Sequence, residues 1–319
     1  MSQQLPQQRT GSSGSGSVAR VTVIGDALID ELRDPRGARE VIGGAALNVA
    51  VGLALLGEQA TLVAMLGDDE PATRIRAYLR DYGVRLVESP SEHGTSRAVS
   101  DRTDGEPRYE FNEAAQRRRI RFDDATRAAI DEADLVVVSC FPFDDAGQYA
   151  ALVEAIPVPD DRVVVDGNPR AGMMTDRAAF LANFEDFASR SLLAKVGDED
   201  ADLLLDDSLG AFVERLRGTG GSSRGAILAT AGREGATVYA GGTSVHADIL
   251  TLPGPVIDTM GAGDATLAAV VHHIAACGMP ATAAAWATAL HEAMAIAAAT
   301  VRHEGALLRT PAADMVFPS

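Results

Sequence analysis

Positive charge is scarce in this chain: 28 lysines and arginines stand against 45 aspartates and glutamates, a formal net charge of −17. A protein that neutralises nucleic-acid phosphates needs a basic face, so no nucleic-acid partner is expected. An anionic ligand would have to bring its own cation and meet local donors, since no general positive field awaits it. Cysteine is nearly absent. Cys140 and Cys277 both lie in apolar segments and read as small buried hydrophobes in a reducing compartment, without a disulfide or metal framework. No uninterrupted apolar run is long enough to cross a bilayer, and no charged n-region precedes an apolar core at the start, so the expectation is a soluble, cytoplasmic protein with no membrane partner. Two phosphate-cradling patterns are missing as well. Without GxxxxGK[ST] there is no P-loop, and without GxGxxG after the first strand a dinucleotide site is weakly supported.

What remains is a strand-helix alternation. Residues 1–17, MSQQLPQQRTGSSGSGS, contain almost nothing that can be buried and have the composition of a flexible tail or linker. From residue 18 to 319, one large α/β domain with an elaboration is expected. Val18 to Ile24 is a β-branched run stopping at Gly25-Asp26, which predicts a buried strand ending in a loop. Gly43 to Leu56 predicts a small-residue helix and Ala60 to Leu66 a second strand. Further strands are expected at 135–139, 162–166, 192–196 and 226–230, and helices at 123–132, 146–155 and 208–217. This rhythm predicts a mainly parallel, doubly wound sheet covered on both faces. Two excursions break it. The segments near 28–42 and 95–113 are polar, the first irregular and the second alternating around Asp104-Gly105, a pair suited to a hairpin turn. Both suit a small β lid over a site, or plain surface hairpins.

The stretch DTMGAGDA, Asp258 to Ala265, precedes a helix whose Leu267, Val270, Val271 and Ile274 share one face, with a second Ala-rich helix from Ala281 to Val301. A helix starting near Gly261 to Asp264 leaves its first N–H groups without intrahelical partners, and the glycines admit a ligand close to the backbone. With the helix dipole added, this is an anion site. Asp264 beside it can take the proton of an attacking hydroxyl, or orient that hydroxyl for in-line attack on a phosphoryl group. The bland alternative is a capping aspartate and a turn. His272, His273 and His291 lie on the two helices without metal-ligand spacing and read as satisfied or surface histidines.

DTMGAGDA, together with GGAALN at Gly43 to Asn48, resembles the paired motifs of the ribokinase-like sugar kinases, the PfkB family. The likeness spans Val18 to Pro311 and includes TAGREGA at 230–236 and AATVRHEGA at 298–306. It implies a ribokinase-like doubly wound fold with a β lid, and transfer of the γ-phosphate of Mg-ATP to a sugar hydroxyl. On the matched positions Asp264 is the catalytic base, and Gly261, Ala262 and Gly263 form the anion hole. Asp26, Gly43, Gly44 and Asn48 would hold sugar hydroxyls, which suits the directional donors and acceptors of these groups. Lys195, Thr230, Gly232 and Gly235 would lie on the ATP side. Asp258 would help bind K⁺ in the manner of relatives that use it, or be satisfied by loop N–H groups. Relatives carry Asn-x-x-Glu near Mg²⁺, whereas this chain has Gly197 and Asp200 in KVGDEDA. Asp200 can still act through water, and an acidic helix start is the other reading.

For the substrate, DGNPR at Asp166 to Arg170 resembles the DPNxR of fructokinases and 2-keto-3-deoxygluconate kinases, and Arg97 and Phe111 of the second excursion suit their sugar-covering lid. A fructose-like ketose is the first expectation. Alternatives are a 2-keto-3-deoxygluconate or phosphosugar kinase, a nucleoside kinase, disfavoured by an aromatic content of 5%, and a non-catalytic sugar-sensing relative. Arg117 to Arg119, with Arg121, would reach a substrate phosphate or form a solvated loop. A homodimer through the lid is consistent with the resemblance.

Overall fold

The apolar runs become the strands of one large sheet in the structure, a computed structural model that describes residues 18–34, 37–101, 108–157, 160–218 and 225–311. The tail at 1–17 and the Asp104-Gly105 turn lie outside the described residues. The first part of the chain forms β1 (Arg20–Gly25), β2 (Leu28–Asp34), β3 (Gly37–Gly43), α1 (Ala45–Leu55), β4 (Gln59–Leu66), α2 (Glu70–Asp81) and β5 (Arg85–Pro90). The middle forms β6 (Ser96–Asp101), β7 (Arg108–Phe111), α3 (Glu113–Gln116), α4 (Asp124–Asp131), β8 (Leu135–Ser139), α5 (Ala146–Ala155) and β9 (Asp160–Asp166). The last part forms α6 (Arg177–Ala188), β10 (Ser191–Gly197), α7 (Asp198–Leu205), α8 (Leu209–Gly218), β11 (Ala226–Thr230), β12 (Ala236–Ala240), β13 (Thr243–Ala247), α9 (Ala262–Cys277) and α10 (Ala283–Thr300).

Nine strands make the main sheet in the order β13-β12-β11-β10-β9-β8-β1-β4-β5, parallel except at the β11-β12-β13 edge. Its strands are apolar on both faces because helices cover both, as a parallel sheet requires. Alternation decides which face each side chain joins. Val21, Val23, Leu62 and Val137 pack with α1, α9 and α10 on one side, while Ile24, Val63, Val136 and Val138 pack with the phenylalanines of α6 and with α8 on the other.

The segment 28–42, irregular in its sequence pattern, forms an antiparallel strand pair, β2 with β3, one of the two forms expected of it. β2 also pairs in parallel with β6, giving a separate four-stranded sheet in the order β3-β2-β6-β7. Its polar sequence reflects a layer that packs little core. The expectation of two buried cysteines is corrected at one position: Cys140 is buried, but Cys277 is exposed, as the last residue of α9 on its solvent side.

Register determines where chemistry gathers. Gly25 is opposite Ser139, Ser139 opposite Asp166, Asp166 opposite Lys195, and Gly197 opposite Thr230. The carboxyl ends of β1, β8, β9, β10 and β11 therefore form one continuous rim, the position at which doubly wound sheets bind ligands.

Candidate active site

Asp264 lies in the first turn of α9, only 8% exposed, and its Oδ2 accepts a 2.8 Å hydrogen bond from Nδ2 of Asn48 on α1. The tight contact of α1 with α9 brings together two motifs more than 200 positions apart; their small side chains permit that approach. Burial pushes the Asp264 carboxyl up to about 7; the Asn48 bond opposes the rise, Asp166 adds to it, and Lys195 and Arg170 oppose it. A carboxylate near neutrality is matched to work as a general base.

The start of α9 has no side-chain cap. Gly261 precedes it with φ of +75°, and a Cβ there would fall 2.6 Å from the Ala306 backbone. The N–H of Ala262 is directed to the Thr259 carbonyl at 3.3 Å, so of the expected anion-hole trio Gly261 and Gly263 are the better donors. Beside them stands Lys195: a Cβ on Gly263 would come 3.6 Å from its Nζ. Lys195 is buried on β10 and ion-paired at 3.0 Å with Asp166, which is fully buried. The ammonium, held by Asp166, thus adds the positive end of a buried ion pair to the helix-end dipole.

A second group faces the lid. Asp26 Oδ1 accepts the Ala46 N–H at 3.0 Å, and burial raises its carboxyl, with Arg118 and Arg170 opposing. Asp30 on β2 was not singled out from the sequence. Its Oδ2 lies where a Cβ on Gly43 would be, 2.1 Å away, and burial together with Asp26 and Asp264 pushes it up to about 7. Asp30 was missed because it sits in a polar excursion; an aspartate between Leu28 and Leu32 on a strand was the available signal. Arg170 bears electrostatically on Asp26, Asp30, Asp264 and Asp200, and its guanidinium lies 3.8 Å from the Glu199 carboxylate. Phe111 packs with Ala45, Ala115, Cys140 and Met173 under the lid.

Arg97 is not brought into this group. It shares register with Ile29 of β2, hence the face of Glu31, and its guanidinium is bound by Glu31 and Glu40 on the side opposite Asp30. The arginine run is equally resolved. Arg117 pairs with Glu113 and Arg119 with Asp145 at the surface, while Arg118 is buried. His272 and His273 pair with Glu58 and Glu292, away from the rim.

On the other side of Lys195, Thr230 ends β11 and leads into a tight 232–235 turn in which Gly232 and Gly235 both have positive φ. Asp200 accepts the Gly197 N–H at 2.8 Å, capping α7 as an acidic helix start does, and burial raises its carboxyl to about 6. Among the described residues no cluster of three metal-ligating side chains occurs. A site for Mg²⁺ here would be of the kind that uses one carboxylate, water and phosphate oxygens, and Asp200 fits that part. Asp258 has both oxygens occupied by backbone donors, Met260 N–H and Gly305 N–H at 3.1 Å each, and so ties the motif loop to the segment after α10. Asn168 is a further residue of note. It is buried with φ of +41°, and its Oδ1 has no partner among the described residues.

Comparison with known proteins places the chain in a family and a fold. The pattern of the pfkB family carbohydrate kinases matches residues 16–313. A fructokinase of Salmonella typhimurium is 27% identical over 304 residues, covering 92% of this chain and 96% of its own. The bifunctional protein HldE of Rhodopseudomonas palustris is 28% identical, and the chain spans 63% of its length. Among solved structures, fructokinase from Vibrio cholerae O395 with fructose, ADP and potassium ion bound superposes with a TM-score of 0.76 at 20% identity, covering 92% of this chain and 95% of that one. Aminoimidazole riboside kinase from Salmonella enterica, with its riboside and an ATP analogue, gives 0.70 at 20% identity over 90% and 95%.

Proposed function

Because this chain belongs to the pfkB family of carbohydrate kinases, we propose that it transfers the γ-phosphate of ATP to a hydroxyl of a small, fructose-like ketose, with Asp264 as the base. One observation carries the reading: a buried carboxyl near neutrality, held by Asn48, at the uncapped start of α9 with an ammonium alongside. Oδ2 is engaged by Asn48, leaving Oδ1 to receive the hydroxyl proton. The developing charge on the phosphoryl oxygens is met by the Gly261 and Gly263 N–H groups and by Lys195.

Asp26, Asp30 and Asn48 bind sugar hydroxyls, with Gly43 and Gly44 giving access to the backbone and Arg170 reaching a keto or carboxylate oxygen through its planar fork. Thr230, Gly232 and Gly235 line the nucleotide side. Mg²⁺, when bound, neutralises charge on the transferring phosphates, and Asp200 is the residue proposed to hold its water shell. A monovalent cation, present in the Vibrio fructokinase, would act on a loop that Asp258 already ties through two N–H groups. The 2-keto-3-deoxygluconate reading stays second, favoured by Arg170. The reading is tested by ADP release across fructose, ribose, 2-keto-3-deoxygluconate, fructose phosphates and adenosine, with and without K⁺. Turnover confined to adenosine would replace the sugar reading with a nucleoside one.

A further inference from the structure

Arg118 occupies a position that neither a surface loop nor a phosphate contact explains. It is 7% exposed, whereas its neighbours Arg117 and Arg119 are solvent-facing and paired with carboxylates. Among the described residues no carboxylate lies within ion-pair distance of it. Its bonds run to main-chain carbonyls of three separate segments: Nε to Cys140 at 3.2 Å, and Nη1 to Met173 at 3.2 Å and Ala115 at 3.4 Å. Burying a guanidinium on carbonyl dipoles alone is costly, so what it joins is informative.

Each acceptor belongs to a part of the sugar side. Ala115 is in α3, directly after lid strand β7. Met173 follows Arg170 in a turn whose N–H groups return to the Arg170 carbonyl. Cys140, the residue after β8, lies in the left-handed region at φ +52°, as does Asn168, two residues after β9, at +41°; strained non-glycine residues of this kind gather at functional sites. Arg118 bears electrostatically on the Asp26 carboxylate, and Asp26, Cys140 and Arg118 line one cavity. Independently, Ala115, Cys140 and Met173 meet in one apolar cluster with Ala45 and Phe111.

We propose that Arg118 is a positioning residue that locks the lid base, the Cys140 strand end and the Arg170 turn into a single surface for the acceptor sugar. The substrate part of this rests on the sugar kinase reading; the coupling of the three segments does not. Arg118 acts through Asp26 and Arg170 and touches no reacting atom. Lysine, with a point charge in place of a fork, can reach one of the carbonyls but not all three.

Arg118→Lys and Arg118→Met are compared with the unaltered chain in two measurements. Amide hydrogen exchange on the ligand-free protein should accelerate by about tenfold at 113–116, 140–143 and 171–174, with α9 and α10 unchanged. In ADP release, KM for the sugar should rise about tenfold or more in Arg118→Met and less in Arg118→Lys, while KM for ATP stays within about twofold. Unchanged exchange at the three segments overturns the proposal. So does faster exchange throughout the chain, or an equal rise in both KM values, since either marks a residue that only stabilises the fold. An unaltered chain that turns over no sugar counts against the kinase reading, and the exchange pattern then decides the coupling on its own.

Discussion

Asp264 combines two properties that pull in opposite directions: it must be ionised to accept a proton, yet it is buried beside Asp166 and answered only partly by Asn48, Lys195 and Arg170. Its carboxyl, raised to about 7, becomes a competent base only as the pH rises through neutrality. The rate at low substrate, kcat/KM, should therefore climb with pH and level off above about 7.5 to 8; a profile flat from pH 5 to 8 would contradict this assignment. The two arginines of the sugar side should separate in the same assay. Arg170→Ala is expected to raise the sugar KM about tenfold or more, and Arg97→Ala less than about threefold, because Arg97 is bound by Glu31 and Glu40 on the other face of the lid. At this scale the sequence was informative where residues act within a local motif. Asp264, Gly261 and Gly263 are legible because the spacing itself makes a helix start. Asp30 and Arg118 are not, since their importance arises from what the lid and three distant segments bring to them.

The start of α9 makes a prediction that depends on backbone geometry. Gly261 has φ of +75° and no room for a Cβ against the Ala306 backbone, so Gly261→Ala should lower stability and activity together. Gly263 is inside the helix, where a Cβ would make only ordinary contact with Lys195 at 3.5 Å. Gly263→Ala should keep or slightly raise the melting temperature, through helix propensity of up to about 1 kcal/mol, while cutting kcat by about tenfold or more by filling the phosphoryl space. Equal loss of stability in both variants would refute the distinction. Elements were legible in proportion to their apolar pattern. β1, β8 and β11 are short, mostly apolar runs, whereas α2 buries only Ala72, Ile75 and Leu79 and gives a stripe too sparse to stand out. β2 buries Leu28, Ile29 and Leu32 among charged residues, so alternation there carries little hydrophobic signal.

Across the whole molecule, buried carboxyls line the rim of a protein that is already strongly acidic. Asp264 has an ordinary value of 3.8 and a native value of about 7. Between these, the native state holds a proton that the unfolded chain releases, so ionising Asp264 lowers stability as pH rises through that window and adds nothing further above it. Asp264→Asn should thus melt like the unaltered protein near pH 4 and about 2 °C or more higher above pH 7; a variant less stable at pH 8 would reverse the sign. The doubly wound architecture was legible from the strand-helix rhythm, while the order of nine strands and the union of two sheets depend on long-range pairing that no local pattern records. The most direct test of the account is ADP release by Asp264→Asn with the sugar that the unaltered protein turns over best, measured on folded protein. A fall in kcat of about 10² to 10⁴ is predicted, and turnover within a few fold of the unaltered protein would contradict the assignment of Asp264 as the base.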